Sequence, residues 1–391
     1  MRGVCRPAGG DQRGRPVYAR TAGIALAAAM VVVVVAGCSS GSSAASPSTQ
    51  SSDVTSQYGT EYENTGTGPM TAPTIPVTPS VPTDRGAEQG NTRTFTLTAS
   101  QFSQQIANFP LKTATVWGYN GSTPGPTLIA YQGEQLKIVV TNQLPEPTTV
   151  HFHGLHAPNT ADGVAGISQP DPIAPGQTYT YTLTPGHVGT FAYHSHFDGA
   201  VQELRGLDGA LIVLPTQEHQ SVHVDEDVMM TLQQFDPPGE DGLVKPFGES
   251  GQFPFSIING KTGDASGGPI TIHRGDRVRI RVYNASNLSH SMHLHGHDEV
   301  LVAKNGHAVT PTRETTDTVG PGDFAMIEFT ADNPGNWIFH CHFPHHTANA
   351  MTAGYNGAPV GMTRIFHYAD YTPVPTQYFS SAHYKSPTTG N

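Results

Sequence analysis

The two halves of this chain repeat one another, and this repeat limits the fold more than any other feature of the sequence. Each half contains two His-x-His pairs, and each pair follows a glycine by 18 residues. Corresponding histidines differ by 142 residues for the first pair and by 146 for the second. A repeat of this length indicates two copies of one domain. The four intervals run from Gly133 to His151, Gly176 to His194, Gly275 to His293 and Gly322 to His340.

Both copies are predicted to consist of β-strands. Short runs of β-branched residues are separated by Gly, Pro and Asn, and no long segment has the periodicity of an amphipathic helix. We therefore expect two all-β sandwich domains, one over residues 92–217 and the other over residues 218–391. The clearest strands cover residues 136–141, 178–183, 278–282 and 325–329.

The first 37 residues resemble a lipoprotein-type signal peptide. Arg13, Arg15 and Arg20 precede an apolar run that is short for a membrane-spanning helix and that ends shortly before Cys38. We expect cleavage before Cys38 and lipidation of its thiol, which would give either a lipoprotein on the outer side of the cytoplasmic membrane or a secreted protein. An uncleaved N-terminal anchor is the alternative. Residues 38–91 are rich in Ser, Thr, Pro and Gly, and they are predicted to form a disordered tether.

Cysteine usage points to a bound metal. Of the three cysteines, Cys5 lies in the signal peptide and Cys38 is the predicted site of lipidation. Cys341 then has no partner with which to form a disulfide in the mature fold. Because an unpaired thiol in an oxidising compartment needs a role, we expect Cys341 to bind a metal.

The charge of the chain excludes some partners. The formal net charge is −11, and removal of the signal peptide, which holds five Arg and one Asp, makes the chain more acidic. This balance disfavours nucleic acid and anionic membrane surfaces as partners. Contact with a membrane is therefore expected only through a lipid at Cys38. Solubility is the simplest role of the charge, and a weak attraction for cationic substrates is a second one.

The tripeptide His340-Cys341-His342 can serve two metal sites, because successive side chains of a strand point to opposite faces. Cys341, with His346 and Met351, belongs to the ligand set of a blue-copper electron-transfer site. The two flanking histidines face the other way and are free to bind another metal. An electron that arrives at Cys341 would cross only a few bonds to reach that second site.

Eight histidines from the four pairs suit a cluster of several copper ions, since neutral imidazole is a good copper ligand. Three coppers that take two, three and three histidines would use all eight, and such a cluster can deliver several electrons to one dioxygen molecule. The first domain has no blue-copper set of its own. At the positions of His290, Cys341, His346 and Met351, the repeat places Thr148, Ser195, Ala200 and Arg205.

These motifs resemble the copper signatures of the multicopper oxidases, whose domains are cupredoxin-like Greek-key β-sandwiches. The resemblance covers about residues 92–366. It implies one-electron oxidation of a small reducing substrate, coupled to the four-electron reduction of dioxygen to water. The motifs are His151-Phe152-His153-Gly154, His194-Ser195-His196, the stretch from His290 to His297, and His340-Cys341-His342 with His346 and Met351.

The same resemblance implies four coppers per chain, namely one type 1, one type 2 and two type 3. His290, Cys341 and His346 correspond to the type 1 ligands, with Met351 as the axial ligand. His151 and His293 correspond to the type 2 ligands. Asp162 corresponds to an acidic residue that assists proton delivery, and a turn residue before Gly163 is its alternative role. The type 3 ligands correspond to His153, His194, His196, His295, His340 and His342.

The chain departs from the commonest family plan because the middle one of three domains is missing. It is similar to the two-domain laccases, which are homotrimers. In those proteins the cluster forms between the first domain of one subunit and the second domain of its neighbour. A further departure is the stretch 353–359, which lengthens the loop beyond Met351. Met362 is therefore an alternative axial ligand.

We accordingly expect a laccase-like oxidase of phenols, aromatic amines or low-valent metal ions, with a substrate-facing edge at His346 or His290. A copper nitrite reductase is one alternative, but it would need its cysteine in the first domain, where Ser195 stands. A non-catalytic copper-binding envelope protein is another. Such a protein could lose cluster histidines, whereas this chain has all eight.

Overall fold

The structure is a computed structural model, and it describes residues 73–106, 113–215, 223–236, 238–245, 255–347 and 361–372. Regular structure within these ranges is almost entirely β-strand, so the predicted all-β class is confirmed. The signal peptide, Cys38 and Met351 lie outside the described residues. No helix in the described ranges is both long enough and apolar enough to cross a membrane.

Within the described residues, the first domain has ten strands in two sheets. One sheet has the order β1-β5-β10-β9-β7, and the other has the order β2-β3-β6-β8, with β4 paired to β3. The strands are β1 Thr83–Asp84, β2 Ala87–Gln89, β3 Thr92–Gln105, β4 Thr113–Tyr119, β5 Gly125–Tyr131, β6 Gln135–Asn142, β7 His151–His153, β8 Thr178–Leu183, β9 Gly189–His194 and β10 Asp208–Leu214. The short helices are α1 Gly199–Gln202 and the 3-10 turns Asn159–Ala161 and Glu203–Arg205.

In the part of the second domain that the structure describes there are eleven strands, also in two sheets. Their orders are β12-β11-β14-β19-β16-β17 and β13-β21-β20-β15-β18. The strands are β11 Glu226–Phe235, β12 Phe255–Ile258, β13 Ile270–Ile272, β14 Arg277–Asn284, β15 His290–Leu294, β16 Glu299–Lys304, β17 His307–Glu314, β18 Asp317–Val319, β19 Phe324–Thr330, β20 Asn336–Cys341 and β21 Thr363–Tyr368. The short helices are α2 Pro344–Thr347 and the 3-10 turn Gly263–Ser266.

Burial along the strands shows how each sandwich forms its core. In β3, Phe95, Leu97 and Ala99 are buried in alternation with more exposed neighbours, as expected for a sheet with one face on a core. Strand β10 is instead buried at every position. One face of β10 lies on the first core, and Ala210 and Ile212 on its other face join a cluster with residues of the second domain.

Polar contacts also join the two domains. The Arg281 guanidinium donates to Thr190 Oγ1 at 3.1 Å, and the Gln233 amide donates to Asp208 Oδ2 at 2.7 Å. All four side chains are buried. The relative position of the sandwiches therefore depends on hydrogen bonds between buried polar side chains as well as on apolar packing.

The folded region begins before residue 92, so the predicted tether over 38–91 is too long at its C-terminal end. Strands β1 and β2 lie within it, and Val81 is buried. Strand β1 pairs in parallel with β5, and Val77 bridges to Val228 of the second domain. These contacts are backbone hydrogen bonds to strands that are distant in sequence, and a Pro- and Ser-rich composition does not reveal them.

Candidate metal centres

The first candidate centre lies inside the second sandwich, at the end where three elements meet. His290 begins β15, Cys341 ends β20, and His346 lies on α2. The Cys341 sulfur is 3.6 Å from His290 Nδ1 and 3.4 Å from His346 Nδ1. The two Nδ1 atoms are 3.1 Å apart. Three donor atoms therefore converge on one small volume, and all three residues are buried.

The charge state of these groups favours a soft metal ion. Burial lowers the pKa of His290 to about 3 and that of His346 to about 4, so both imidazoles are neutral near pH 7. Burial raises the pKa of the Cys341 thiol, because a buried thiolate has no compensating cation among its protein neighbours. Two neutral imidazoles and one thiol fit a trigonal copper site, where the metal itself stabilises the thiolate.

Met362 lies beside this pocket. Its side chain is fully buried and belongs to the same apolar cluster as Cys341. Its backbone oxygen accepts from Cys341 N at 3.1 Å, and its backbone N donates to His346 O at 2.9 Å. Because Met351 and the stretch 353–359 lie outside the described residues, their expected roles remain predictions.

The alternation predicted for His340-Cys341-His342 is present. Cys341 is buried in the core, whereas His340 is half-buried and His342 is exposed on the other side. We call His293, His295, His340 and His342 the second histidine set. In this set His295 Nε2 lies 3.0 Å from His340 Nε2, and the ring centroids of His293 and His342 are 5.6 Å apart.

The first histidine set consists of His151, His153, His194 and His196. Its ring centroids are 5.4 to 6.3 Å apart. His153 Nδ1 lies 3.4 Å from His194 Nε2, and donor atoms of His151, His153 and His194 are close enough together to bind one ion. The pairing of β7 with β9 places His151 opposite His194 in register.

Each set is compact, but the two sets do not meet within one chain. All eight histidines are described, and the ring contacts among them join members of the same set only. His196, His295 and His342 are exposed. A depression of about 510 Å³ opens beside His293. Each set therefore has at least one imidazole exposed to solvent.

Backbone carbonyls fix the orientation of several of these rings. A carbonyl only accepts, so the proton of each imidazole lies on Nδ1 and Nε2 is left free to bind a metal. His151 Nδ1 donates to Asp162 O at 2.8 Å, His194 Nδ1 to Ser195 O at 2.9 Å, and His340 Nδ1 to Cys341 O at 2.8 Å.

Asp162 lies where a proton-delivering residue would be expected. Its Oδ1 is 3.3 Å from His151 Nδ1, and the residue follows the 3-10 turn Asn159–Ala161. Gly163, which comes next, has a φ of +79°. The geometry is thus compatible with both roles expected from the sequence, and proton delivery by Asp162 stays a prediction.

Two further carboxyl groups contact the histidine sets and were missed by sequence reasoning. Glu203 Oε2 lies 3.4 Å from His194 Nδ1, and Glu299 Oε1 lies 3.4 Å from His293 Nδ1. Burial raises the pKa of Glu203 to about 7 and that of Glu299 to about 8. Neither glutamate belongs to a motif, and only the fold brings each one to its histidine.

The first domain contains a pocket equivalent to the one around Cys341. Ser195 N donates to Leu207 O and Leu207 N donates to Gln202 O, which repeats the backbone bonds that join Cys341, Met362 and His346. Gln202 and Leu207 therefore occupy the places of His346 and Met362. The expectation that Ala200 takes the position of His346 is wrong, because a constant offset does not hold beyond the strand. The expected match of Arg205 to Met351 stays a prediction, since Met351 lies outside the described residues.

A second expectation also requires correction, namely a substrate-facing imidazole edge. His290 is 0% exposed and its Nε2 lies 2.7 Å from Ser286 Oγ. His346 is 3% exposed and its Nε2 lies 3.4 Å from the Gln234 amide nitrogen. Both outer edges are thus covered by buried polar side chains.

Both domains match known proteins. Residues 101–218 and residues 219–359 each match the family described as Multicopper oxidase. Laccase-4 of Thanatephorus cucumeris is 32% identical over 281 residues, which are 64% of this chain and 50% of that laccase. The chain spans half or less of the length of the curated relatives that it matches.

Two solved structures resemble the fold closely. The multicopper oxidase mgLAC aligns with a TM-score of 0.63 at 31% identity and covers 75% of this chain and 92% of its own. A blue copper oxidase from Nitrosomonas europaea also has a TM-score of 0.63, at 27% identity, over 75% of this chain and 95% of its own. These likenesses support cupredoxin-like sandwiches in both domains.

Proposed function

Because this chain belongs to the multicopper oxidase family, we propose that it is a laccase-like oxidase that transfers single electrons from a small reducing substrate to dioxygen. The observation that carries this proposal is the position of Cys341. Its side chain lies in the buried pocket with His290 and His346, and its two sequence neighbours belong to the outward-facing second set. One strand end thus connects an electron-accepting site to a cluster site.

The chain provides ligands for four coppers. His290, Cys341 and His346 would hold the type 1 copper, with Met362 or Met351 near the axial position. His151 and His293 would hold the type 2 copper. Bound copper supplies one-electron redox chemistry at these places, and the protein fixes the ligands and shields them from water. The type 3 coppers would use His153, His194, His196, His295, His340 and His342.

Oxygen uptake tests the oxidase proposal. Copper-loaded protein should consume dioxygen with a phenol, an aromatic amine, Fe(II) or Mn(II) as donor, and it should be blue when oxidised because thiolate-to-copper charge transfer requires Cys341. Colourless protein with full copper loading would remove the type 1 assignment. Blue protein that consumes no dioxygen with any donor would favour the copper-binding envelope protein.

We further propose a homotrimer, in which the first set of one subunit meets the second set of its neighbour. The separation and outward exposure of the two sets support this assembly, since a head-to-tail contact between unlike faces closes into a ring. Co-expression of a His153→Ala chain with a His295→Ala chain should restore partial activity, because some interfaces then combine two intact halves. An active monomer, or no recovery in verified mixed oligomers, would place the cluster within one chain.

Asp162 is proposed to deliver protons to the cluster, and its carboxylate lies within reach of His151. Asp162→Asn should slow oxygen consumption while a donor still bleaches the blue colour at the normal rate. Unchanged turnover would leave Asp162 with only its turn role.

Export and lipidation at Cys38 remain proposals that rest on the signal-like N-terminus. Cys38→Ser should release the protein from the membrane fraction without loss of activity. Equal membrane association of both proteins would favour an uncleaved anchor.

A further inference from the structure

The buried copper pocket limits how an electron can reach it. The two imidazoles that would bind the type 1 copper use Nδ1, so a substrate that hydrogen-bonds to a ligand must reach Nε2. Ser286 occupies this position at His290, and Gln234 occupies it at His346. Both ligands are almost inaccessible to solvent. Direct hydrogen bonding between a donor and either ligand is therefore blocked.

Gln234 is well placed to keep the His346 edge closed. It lies on β11, is 2% exposed, and its amide nitrogen donates to Ser256 Oγ at 3.0 Å. Its Oε1 has no hydrogen-bond partner among the residues that the structure describes. With a metal at His346 Nδ1, the imidazole proton would lie on Nε2, and a half-turn of the Gln234 amide would present Oε1 as its acceptor. Gln234 would then hold the His346 edge closed by a hydrogen bond.

Two other rings, those of Phe343 and His345, contact the His346 ring. The Phe343 ring lies 5.2 Å from the His346 ring, and the His345 ring lies 4.3 Å from it. Phe343 is 41% exposed. Among the described residues, only Val77, Ile167 and Phe343 are large apolar side chains that are this exposed, and Phe343 alone contacts a candidate ligand. We call Phe343 and His345 the aromatic shelf.

We propose that electrons enter the site across the aromatic shelf, and that the preferred donors are planar aromatic molecules that stack on Phe343 without a hydrogen bond to His346. This inference rests on the proposed oxidase function and specifies its donor site. A solvent-exposed ring offers a stacking partner to another ring. From there, ring contacts lead through His346 to Cys341.

The chemistry of one step balances with a phenol as donor. The phenol O–H bond breaks and its proton goes to water. One electron passes across the aromatic shelf and would reduce the type 1 site by one electron, which leaves a phenoxyl radical. Four such steps, with four protons from water, reduce one dioxygen to two water molecules.

The test compares a stacking donor with a donor that cannot stack. Copper-loaded protein is mixed without dioxygen with 2,6-dimethoxyphenol or with hexaammineruthenium(II), and the loss of blue colour is followed against donor concentration. Phe343→Ala should weaken the apparent binding of the phenol about three- to tenfold, the range expected for one aromatic contact. Its limiting rate should change less than twofold, and reduction by hexaammineruthenium(II) should be unaffected.

Matched variants separate stacking from structural damage. Phe343→Tyr should restore phenol binding, because it keeps the ring. Val77→Ala, which removes another exposed apolar side chain far from the copper ligands in sequence, should leave both donors unchanged. The blue absorption should be the same in all variants. If Phe343→Ala slows reduction by both donors equally, or leaves the apparent binding of the phenol unchanged, the proposal that donors stack on Phe343 is wrong.

A binding measurement keeps this test independent of turnover. Magnetisation transfer from the copper-loaded protein to 4-nitrophenol, a phenol that resists oxidation, should be strong for wild type and weak for Phe343→Ala. If neither donor bleaches wild-type protein, the oxidase proposal fails, and the 4-nitrophenol result still decides the shelf. Equal transfer to both proteins would overturn it.

Discussion

At the end of β9 in the first domain and of β20 in the second, the chain makes the same two backbone hydrogen bonds around different side chains. In the first domain Thr148 and Ser195 donate to Gln202 Oε1 at 2.8 and 2.6 Å, and the Gln202 amide donates to Glu146 at 2.7 Å. In the second domain two imidazoles and a thiol point at one another. The two sandwiches thus form the same pocket, and a few side chains decide whether its polar atoms find hydrogen-bond partners within the protein.

The difference has an energetic reason. In the first pocket each hydroxyl hydrogen meets an acceptor, so the buried polar groups are satisfied without any added ion. In the second pocket the three donor atoms place their lone pairs toward a common point, and a buried thiolate is disfavoured without a cation. The hydroxyls of the first pocket thus need no metal, whereas the donor set of the second pocket is suited to bind one.

The largest expected contrast comes from exchanging the central residue of each pocket. Cys341→Ser should abolish the blue colour and substrate oxidation, because the thiolate ligand is lost, while the cluster histidines keep their ability to bind copper. Ser195→Cys alone should add no blue absorption to that of the wild type, since Thr148 and Gln202 provide no imidazole. Absorption spectra and copper analysis of both variants test this. A double variant with Cys341→Ser and Ser195→Cys should be colourless, and a blue double variant would contradict the comparison.

Copper should stabilise the second pocket selectively. In a chain that carries both His153→Ala and His295→Ala, copper binds mainly at Cys341, and copper at 100 times its dissociation constant should stabilise the bound state by about 2.7 kcal/mol. Hydrogen exchange of the Cys341 amide should slow about 100-fold, whereas that of the equivalent Ser195 amide should change little. Equal slowing at both amides would show that the two pockets open together.

The first pocket should instead depend on Gln202. Gln202→Leu keeps most of the side-chain volume but leaves two buried hydroxyls without their acceptor, and the free energy of unfolding should fall by about 2 kcal/mol. The triple variant Thr148→Val, Ser195→Ala, Gln202→Leu should recover most of this loss, because the two hydroxyls that lost their acceptor are then absent. Urea unfolding measures both. A triple variant that is weaker than the single one would mean that Gln202 acts mainly through packing.

The sequence predicts much of this comparison, and its failures have a physical reason. Strand alternation has a period of two, so the opposite directions of Cys341 and its neighbours follow from spacing alone. The repeat also places Ser195 opposite Cys341. The constant offset between the two copies does not continue after the strand. Five positions separate Gln202 from Leu207, whereas sixteen separate His346 from Met362. Loop lengths differ freely between copies, whereas strand register does not.

Contacts between distant segments are the other part that the sequence does not reveal. Glu203 and Glu299 reach their histidines only through the fold, and Gln234 comes from a strand more than 100 residues before His346. None of these three belongs to a motif. They were therefore invisible to spacing arguments, although they determine which atoms of the histidines remain accessible.

The smallest expected effect concerns the residue above the metal. Leu207 and Met362 are equivalent by backbone bonding, so a thioether is present only in the pocket with Cys341. An axial ligand tunes the reduction potential and is not needed to hold the metal. Met362→Leu should therefore raise the potential while the protein stays blue, and Leu207→Met should change nothing. Met351→Leu is the companion variant, since spacing assigns the axial role to Met351. Redox titration of the blue absorption distinguishes them: a shift of the reduction potential in Met351→Leu, with no shift in Met362→Leu, would assign the axial position to Met351. In that case Leu207 and Met362 would be equivalent in backbone bonding only, and Met362 would not face the metal.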